Sequence, residues 1–432
     1  MTKRARRSAP DRTEVWTLLA IALVLLYRFP GRLLSPQLWA EDGTVFLTGQ
    51  RDLGFSSLWT PYSGYSHLIP RLIALVSGSL LDLRYIPFAY NFAAFVLTLL
   101  CALFVMRARL PLPCKPLAAF ALVFVPHPSE VYLTITSIQW MFAAVIPLFL
   151  LQPPATTRAG RIAEIVGVLL IGLTGPFLLL FSPILAYRIR RDGWRDRNNL
   201  LFCGAAVLAI TLQASAGLSM PAPSSSPDFS PLRWLAVNGA VLIGGMLLGK
   251  NMSHFLMGEN VAAYLRSAPV IFSGASKVFL MIGCVVAAIG ILAFFWRGLQ
   301  RLTPARRVLA VSLLFCAAVT LVAAMRRLQG DAQPLGPFSG GSRYCFLPYV
   351  CFAWTSLLFL SAGGVHGTVA RLLLILEAVS TLSILGPPPP TQDFRWTESV
   401  SAVRRGEAVT VPIPPHGVNG AVWQIHLRPK TR

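Results

Sequence analysis

Charged side chains, and acidic ones above all, are scarce in this chain of 432 residues. Asp, Glu, Lys and Arg make up 13% of it, against roughly 25% in soluble globular domains. With 55% hydrophobic residues, that scarcity excludes a water-soluble domain and implies an all-α polytopic membrane protein. The seven cysteines include no Cys-x-x-Cys pair, and no His/Cys cluster accompanies them. Most lie inside apolar runs and read as small core hydrophobes, which excludes a disulfide framework and a zinc site. No internal repeat is visible, which counts against an inverted-repeat transporter. The basic N-terminus and first apolar run look like a secretory leader, but no small-residue cleavage site follows. The segment is therefore read as a retained span.

The formal charge of +21 sits in short basic clusters between apolar runs. That spacing belongs to membrane orientation and not to a nucleic-acid groove, so no nucleic acid is expected as partner. Lys3, Arg4, Arg6, Arg7 and Arg12 place the N-terminus in the cytoplasm. A span over 15–30 then delivers an external loop, 31–84. Within it, 66–82 carries Arg71 and reads as an interfacial helix. Further spans are expected at 85–106, 113–127, 137–152, 198–217, 277–297, 307–325, 344–362 and 367–385. A Gly-Leu-Thr-Gly-Pro break splits another apolar stretch into short helices at 162–173 and 175–188. The total is about eleven spans. Residues 218–276 form a long external region with a second interfacial piece at 234–249. The membrane body is 1–385 and an external C-terminal segment is 386–432, where "AVTVPIP" and "AVWQIHL" read as a strand pair. Short loops point to a bacterial inner (plasma) membrane. In this layout only Glu377 falls clearly inside a span.

The stretch "WAEDGTVFL" holds the sharpest candidate. Glu41 and Asp42 stand side by side at a bilayer edge, where two carboxylates cost free energy unless something uses them. Gly43 beside them permits a tight turn and close approach of a substrate. The plainer reading is that the pair caps the following helical stretch. Cations suited to a phosphate are Arg71, which follows Tyr62, Tyr65 and His67, and Arg343, which precedes Tyr344 in "GGSRYCFLPY". Lys250 in "LLGKNMSHF" is a third. Their plainer reading is snorkelling to lipid headgroups. Trp39, Gln139 and Trp140 are placed to meet a sugar ring, or to anchor at the membrane interface.

This organisation resembles the GT-C superfamily of membrane glycosyltransferases, which includes the protein O-mannosyltransferases and the lipid A aminoarabinose transferases. The likeness rests on the acidic pair after span one and on "GYSHLIPRLIALVSGSLL" followed by "LRYIPFAYNFAAFVLTLLCALFVMRARL". It also rests on the Gly-Pro-centred "GLTGPFLLLFSPILAYRIRR". The resemblance implies inverting transfer of a sugar from a polyprenyl-phosphate donor to a glycan, lipid or protein acceptor at the external face. It makes Asp42 or Glu41 the base, with Asp42 preferred. The second carboxylate would orient the acceptor or help bind a divalent cation, Mg or Mn. The first loop has no Asp-x-Asp, which leaves metal binding open. Two competing readings stay on the table. One is a flippase or transporter of lipid-linked sugars; the other is an O-antigen-type polymerase or ligase, for which Arg326 and Arg327 precede Arg343.

Overall fold

In the computed structural model, residues 11–193, 196–218, 243–250, 290–327, 341–386, 393–416 and 422–429 are described. Most of them are helical. Helices α1 (Arg12–Arg28), α2 (Pro30–Leu34), α3 (Thr48–Leu53), α4 (Leu68–Leu80), α5 (Ile86–Arg107), α6 (Lys115–Ala121) and α7 (Ile138–Leu151) occupy the first third. They are followed by α8 (Arg158–Gly172), α9 (Phe177–Leu180), α10 (Ser182–Asp192), α11 (Arg197–Leu218), α12 (Pro304–Arg327), α13 (Arg343–Leu360), α14 (Gly364–Leu382) and α15 (Trp396–Arg404). Residues 243–250 and 290–301 are also helical. Strands β1 (Val409–His416) and β2 (Val422–Leu427) form one antiparallel hairpin, the pair expected in the tail.

Among the described residues, five helices are long and apolar enough to cross a membrane: Leu83–Arg107, Arg197–Leu218, Pro304–Ala324, Arg343–Leu360 and Gly364–Leu382. Two of the bundle's helices form its centre. Every residue of α7 is buried, and α13 is buried over most of its length, because each is apolar all round and has protein on every side. The outer helices leave one stripe open instead. On α5 that stripe is Phe88, Phe92, Val96 and Leu100, at helical spacing, as a lipid-facing surface requires.

Basic side chains close one end of the bundle. Arg188 donates to the Phe149 and Leu150 carbonyls and Arg191 to that of Leu151, so the last turn of α7 is capped. Arg107 pairs with Glu14 and Arg109 with Glu164 at the same end. The other end carries Asp42 and the irregular backbone. There the Gly-Leu-Thr-Gly-Pro break lies against the Tyr62–His67 turn. Leu68 N donates to Leu173 O and Gly175 N to Ser66 O. Gln213 of α11 seals this junction. Its Oε1 accepts from Ser66 N at 2.7 Å, and its Nε2 reaches the Gly172 and Gly175 carbonyls at 3.0 Å. Gly175 has φ +92°, and a Cβ there would fall 2.5 Å from Gln139 Oε1, so the break requires glycine.

One expected span is corrected. Residues 113–127 are helical only over Lys115–Ala121, and 122–137 runs irregularly past Pro126 and Pro128. Arg28, 1% exposed, makes that path possible by donating to the carbonyls of Val123, His127 and Pro128 at 2.5–3.0 Å. Most of 218–276, and residues 277–289 of the span expected at 277–297, lie outside the described residues.

Replacing Gln213 with Leu strips three main-chain groups of their partner. We expect a loss of about 1–3 kcal/mol, read as a lowered unfolding temperature in detergent. An unchanged melting curve would show that the junction is held by other contacts.

Candidate active site around Asp42

After α1 the chain turns through Ala40, which is held at φ +30°, and enters a π-helical turn over Asp42–Leu47. Single π turns inside helical segments commonly mark functional positions. Gly43 serves a purpose other than the expected tight turn. A Cβ on it would fall 2.3 Å from Ile425 Cδ1 and 2.8 Å from Ile413 Cδ1, so what approaches it closely is the C-terminal hairpin. Phe46 and Leu47 share a small core with Ala74, Tyr90, Ile135, Trp396, Ile413 and Ile425, separate from the main core of the bundle. The first loop and the tail are therefore one packing unit at this end.

Asp42 is fully buried. Its Oδ1 accepts from Thr136 N at 2.9 Å and from Thr136 Oγ1 at 2.5 Å. Its Oδ2 is buried and has no hydrogen-bond partner among the described residues. Burial pushes the Asp42 pKa up to about 7, against the opposing pull of the Thr136 hydrogen bonds and of nearby Arg32, and with a push from Glu41. Arg32 is itself lowered to about 10 by burial, with Asp42 resisting the change. The result is a buried carboxyl whose proton affinity is raised toward neutrality, with one oxygen anchored and the other without a hydrogen-bond partner among the described residues.

Neither acidic side chain caps the helix. The π turn has no side-chain cap, and the Asp42 carboxylate is directed to Thr136 across 94 residues of sequence. Glu41 is half-buried, and its charge acts on Arg343. Arg343 in turn pairs with Glu130, Nη1 to Oε1 at 2.6 Å. The structure brings Arg343 within electrostatic reach of Glu41, the neighbour of Asp42, while the partners Thr136, Arg32 and Glu130 are not among the residues the sequence singles out. Thr136 sits in "LTITSIQW", where a Thr reads as an ordinary β-branched residue. Glu130 is one of only 17 acidic residues in the chain, and that scarcity is the signal the sequence offers for it.

Arg71 is 3% exposed on α4, beside the π turn. Its guanidinium carbon lies 5.6 Å from the centre of the Phe46 ring. Its Nε has no hydrogen-bond partner, and no carboxylate pairs with it among the described residues. His67 packs against Phe46, Tyr62 and Tyr65, with ring centres 5.4, 5.9 and 4.5 Å away. The snorkelling alternative does not describe Arg71, because its charge is inside protein.

The sugar-stacking candidates are corrected. Trp140 is 5% exposed, edge-on to Phe177 and Tyr344, so its faces are spent in the core. Gln139 is equally buried, with Nε2 on Thr136 O at 3.3 Å. Tyr344 is buried against Trp140 and Arg343. Trp39 is covered by the Arg32 guanidinium at 4.4 Å. Lys250 is exposed at the end of 243–250, a segment bonded to α14 through Ser380 Oγ and Gly245 O, and no described contact joins it to the Asp42 group.

Among the described residues no three His, Cys, Asp or Glu side chains gather as a metal site requires. Asp42 spends one oxygen on Thr136 and shares its surroundings with Arg32, and Glu41 faces Arg343. This donor set does not fit a resident divalent cation. No family model, no curated protein and no solved structure matches the chain.

The raised Asp42 pKa carries a stability consequence. Between pH 4 and 7 the folded state keeps the Asp42 proton and the unfolded chain releases it, so this group's contribution falls as pH rises through that window. Asp42→Asn should therefore stabilise the protein at pH 8, on the order of 3 kcal/mol, with the gain vanishing toward pH 4. Unfolding followed across that range checks it; a gain independent of pH would contradict the buried-proton assignment.

Proposed function

We propose that the protein is an inverting glycosyltransferase that takes a sugar from a polyprenyl-phosphate carrier and gives it to a hydroxyl acceptor. The observation that carries this reading is the buried Asp42 carboxyl, with Oδ1 fixed by Thr136, Oδ2 without a hydrogen-bond partner among the described residues, and a pKa raised to about 7. A base poised near the working pH combines the correct protonation state with useful driving force.

The reaction balances on this chain's own groups. Oδ2 takes the acceptor hydroxyl proton as that oxygen attacks the anomeric carbon from the face opposite the phosphate. The C–O bond to the phosphate breaks, and its electron pair leaves on the phosphate oxygen. Polyprenyl phosphate departs, and Asp42 returns its proton to water. Negative charge grows on the departing phosphate, which requires fixed cations. Arg71, buried without a counter-charge, and Arg343, in the field of Glu41, are the two candidates, and Glu41 orients the acceptor. The Tyr62, Tyr65 and His67 cluster supplies a wall for the sugar between Arg71 and the π turn.

In this reading the chain makes about eleven passes, with its basic end in the cytoplasm and Asp42 at the outer face of a bacterial plasma membrane. A transporter of lipid-linked sugars is the second reading, and Glu377 is the observation that favours it. That residue lies in α14, is 4% exposed, and has no partner on either carboxylate oxygen among the described residues.

The test reconstitutes the full chain with a panel of polyprenyl-phosphate sugars and follows release of polyprenyl phosphate. Asp42→Asn is expected to lower turnover by about 10²–10⁴-fold with donor binding retained. The wild-type rate should rise with pH through an apparent pKa near 7, since only the ionised carboxylate accepts a proton. Full activity in Asp42→Asn, together with loss of transport in Glu377→Gln, would replace the transfer reading with the transport one.

A further inference from the structure

Glu130 lies in the irregular stretch between α6 and α7, in "PHPSEVY". Its Oε2 accepts from Ser342 Oγ at 2.9 Å and from Arg343 N at 3.0 Å, at the start of α13. Its Oε1 takes Arg343 Nη1 at 2.6 Å. One carboxylate therefore ties down a helix start and also grips the side chain that opens that helix.

The two contacts do different work. Oε2 alone satisfies the first turn of α13, as any cap would. Oε1 adds nothing to that cap, and partly buried ion pairs are a weak source of stability. Its effect is on the guanidinium, which is held between Glu130 and the Tyr344 ring, 5.4 Å from its centre. Tyr344 is in turn fixed edge-on by Trp140 at 5.5 Å. A guanidinium carries its N–H donors in a planar fork, so fixing one nitrogen fixes the direction of the rest. Arg343 keeps 35% of its side chain exposed, which leaves part of it within reach of a ligand.

We propose that Glu130 is a positioning residue, which orients the Arg343 fork to bind the phosphate of a polyprenyl-phosphate ligand beside Glu41. This rests on the transfer reading for its ligand, but it predicts binding behaviour that does not require turnover. Glu130 also neutralises Arg343, so charge alone predicts the opposite result. If attraction were all that mattered, removing the Glu130 charge would tighten phosphate binding. If orientation matters, it loosens it.

The experiment titrates polyprenyl phosphate itself into the purified full chain in nanodiscs. The variants are Glu130→Gln, Arg343→Ala, the double variant, and Ser342→Ala, which removes one cap hydrogen bond and no charge. We expect Glu130→Gln to weaken binding about tenfold. Arg343→Ala should weaken it at least as much, and the double variant should be no weaker than Arg343→Ala alone. Ser342→Ala should lower the melting temperature and leave the affinity within about twofold of wild type. Tighter or unchanged binding in Glu130→Gln overturns the inference, and so does a loss that simply adds to that of Arg343→Ala. Failure of wild type to bind polyprenyl phosphate overturns it as well. Where a donor does turn over, kcat/KM should fall about tenfold or more in Glu130→Gln and kcat should fall with it, because the same guanidinium meets the charge that grows on the departing phosphate. If the binding pattern holds but no donor in the panel is ever turned over, the transfer reading falls and the Glu130 assignment stands.

Discussion

Main-chain polar groups cannot be left bare inside an apolar bundle, and at the Asp42 end a few buried side chains meet that requirement. Gln213 closes the Gly-Leu-Thr-Gly-Pro break against the Tyr62–His67 turn. Arg28 collects the carbonyls of 123, 127 and 128, which lets the chain reach α7 without a full helix. Glu130 ties that same irregular stretch to the start of α13. Each bonds backbone far away in sequence, so the non-helical architecture at this end depends on single side chains. A regular helix would have satisfied its own backbone, but it could not have brought Thr136 to Asp42 or Glu130 to Arg343.

The electrostatics follow from that architecture. Asp42 and Glu41 are neighbours in sequence but meet different surroundings. Asp42 is buried, held by Thr136 and drawn down only partly by Arg32, so its proton is retained to near neutrality. Glu41 is half-buried and faces the cation Arg343. Two carboxylates with separated environments can take separate roles, which is how a base and a binding group arise from one dipeptide. The two arginines divide in the same manner. Arg343 has a carboxylate partner and partial exposure, and Arg71 has burial without one.

Much of this was legible in the sequence, and the illegible part has a common cause. The acidic pair, the Gly-Pro break and the tail hairpin announce themselves through residue types that are costly or special where they stand. The two central helices were visible as apolar runs, although the burial of α7 over its whole length and of α13 over most of it was not. The span drawn at 113–127 failed because hydropathy counts apolar side chains and is blind to who satisfies the backbone. Arg28, at the end of α1, acts as a backbone partner. Trp140 looked like an interfacial anchor, and the aromatic neighbours that enclose it come from α9 and α13, far along the chain. Local pattern gave the elements; the polar partners came from contacts that span 94 to 213 positions.

The C-terminal hairpin shows why such distant contacts matter for chemistry. Ile413 and Ile425 press on Gly43, Arg51 donates to the Arg428 carbonyl, and Trp396 Nε1 donates to Leu83 O. These bonds seat the tail on the first loop and shut water from one side of the π turn. Desolvation is the largest cause of the raised Asp42 pKa, and part of that desolvation is supplied by residues some 370 positions later in the chain. A bulkier residue at Gly43 would lift the hairpin and admit water, and the Asp42 proton affinity would then fall toward that of an ordinary carboxylate. Gly43 therefore belongs to the chemistry of its neighbour through packing. The smallest side chain in "WAEDGTVFL" is what allows the adjacent carboxyl to be dry.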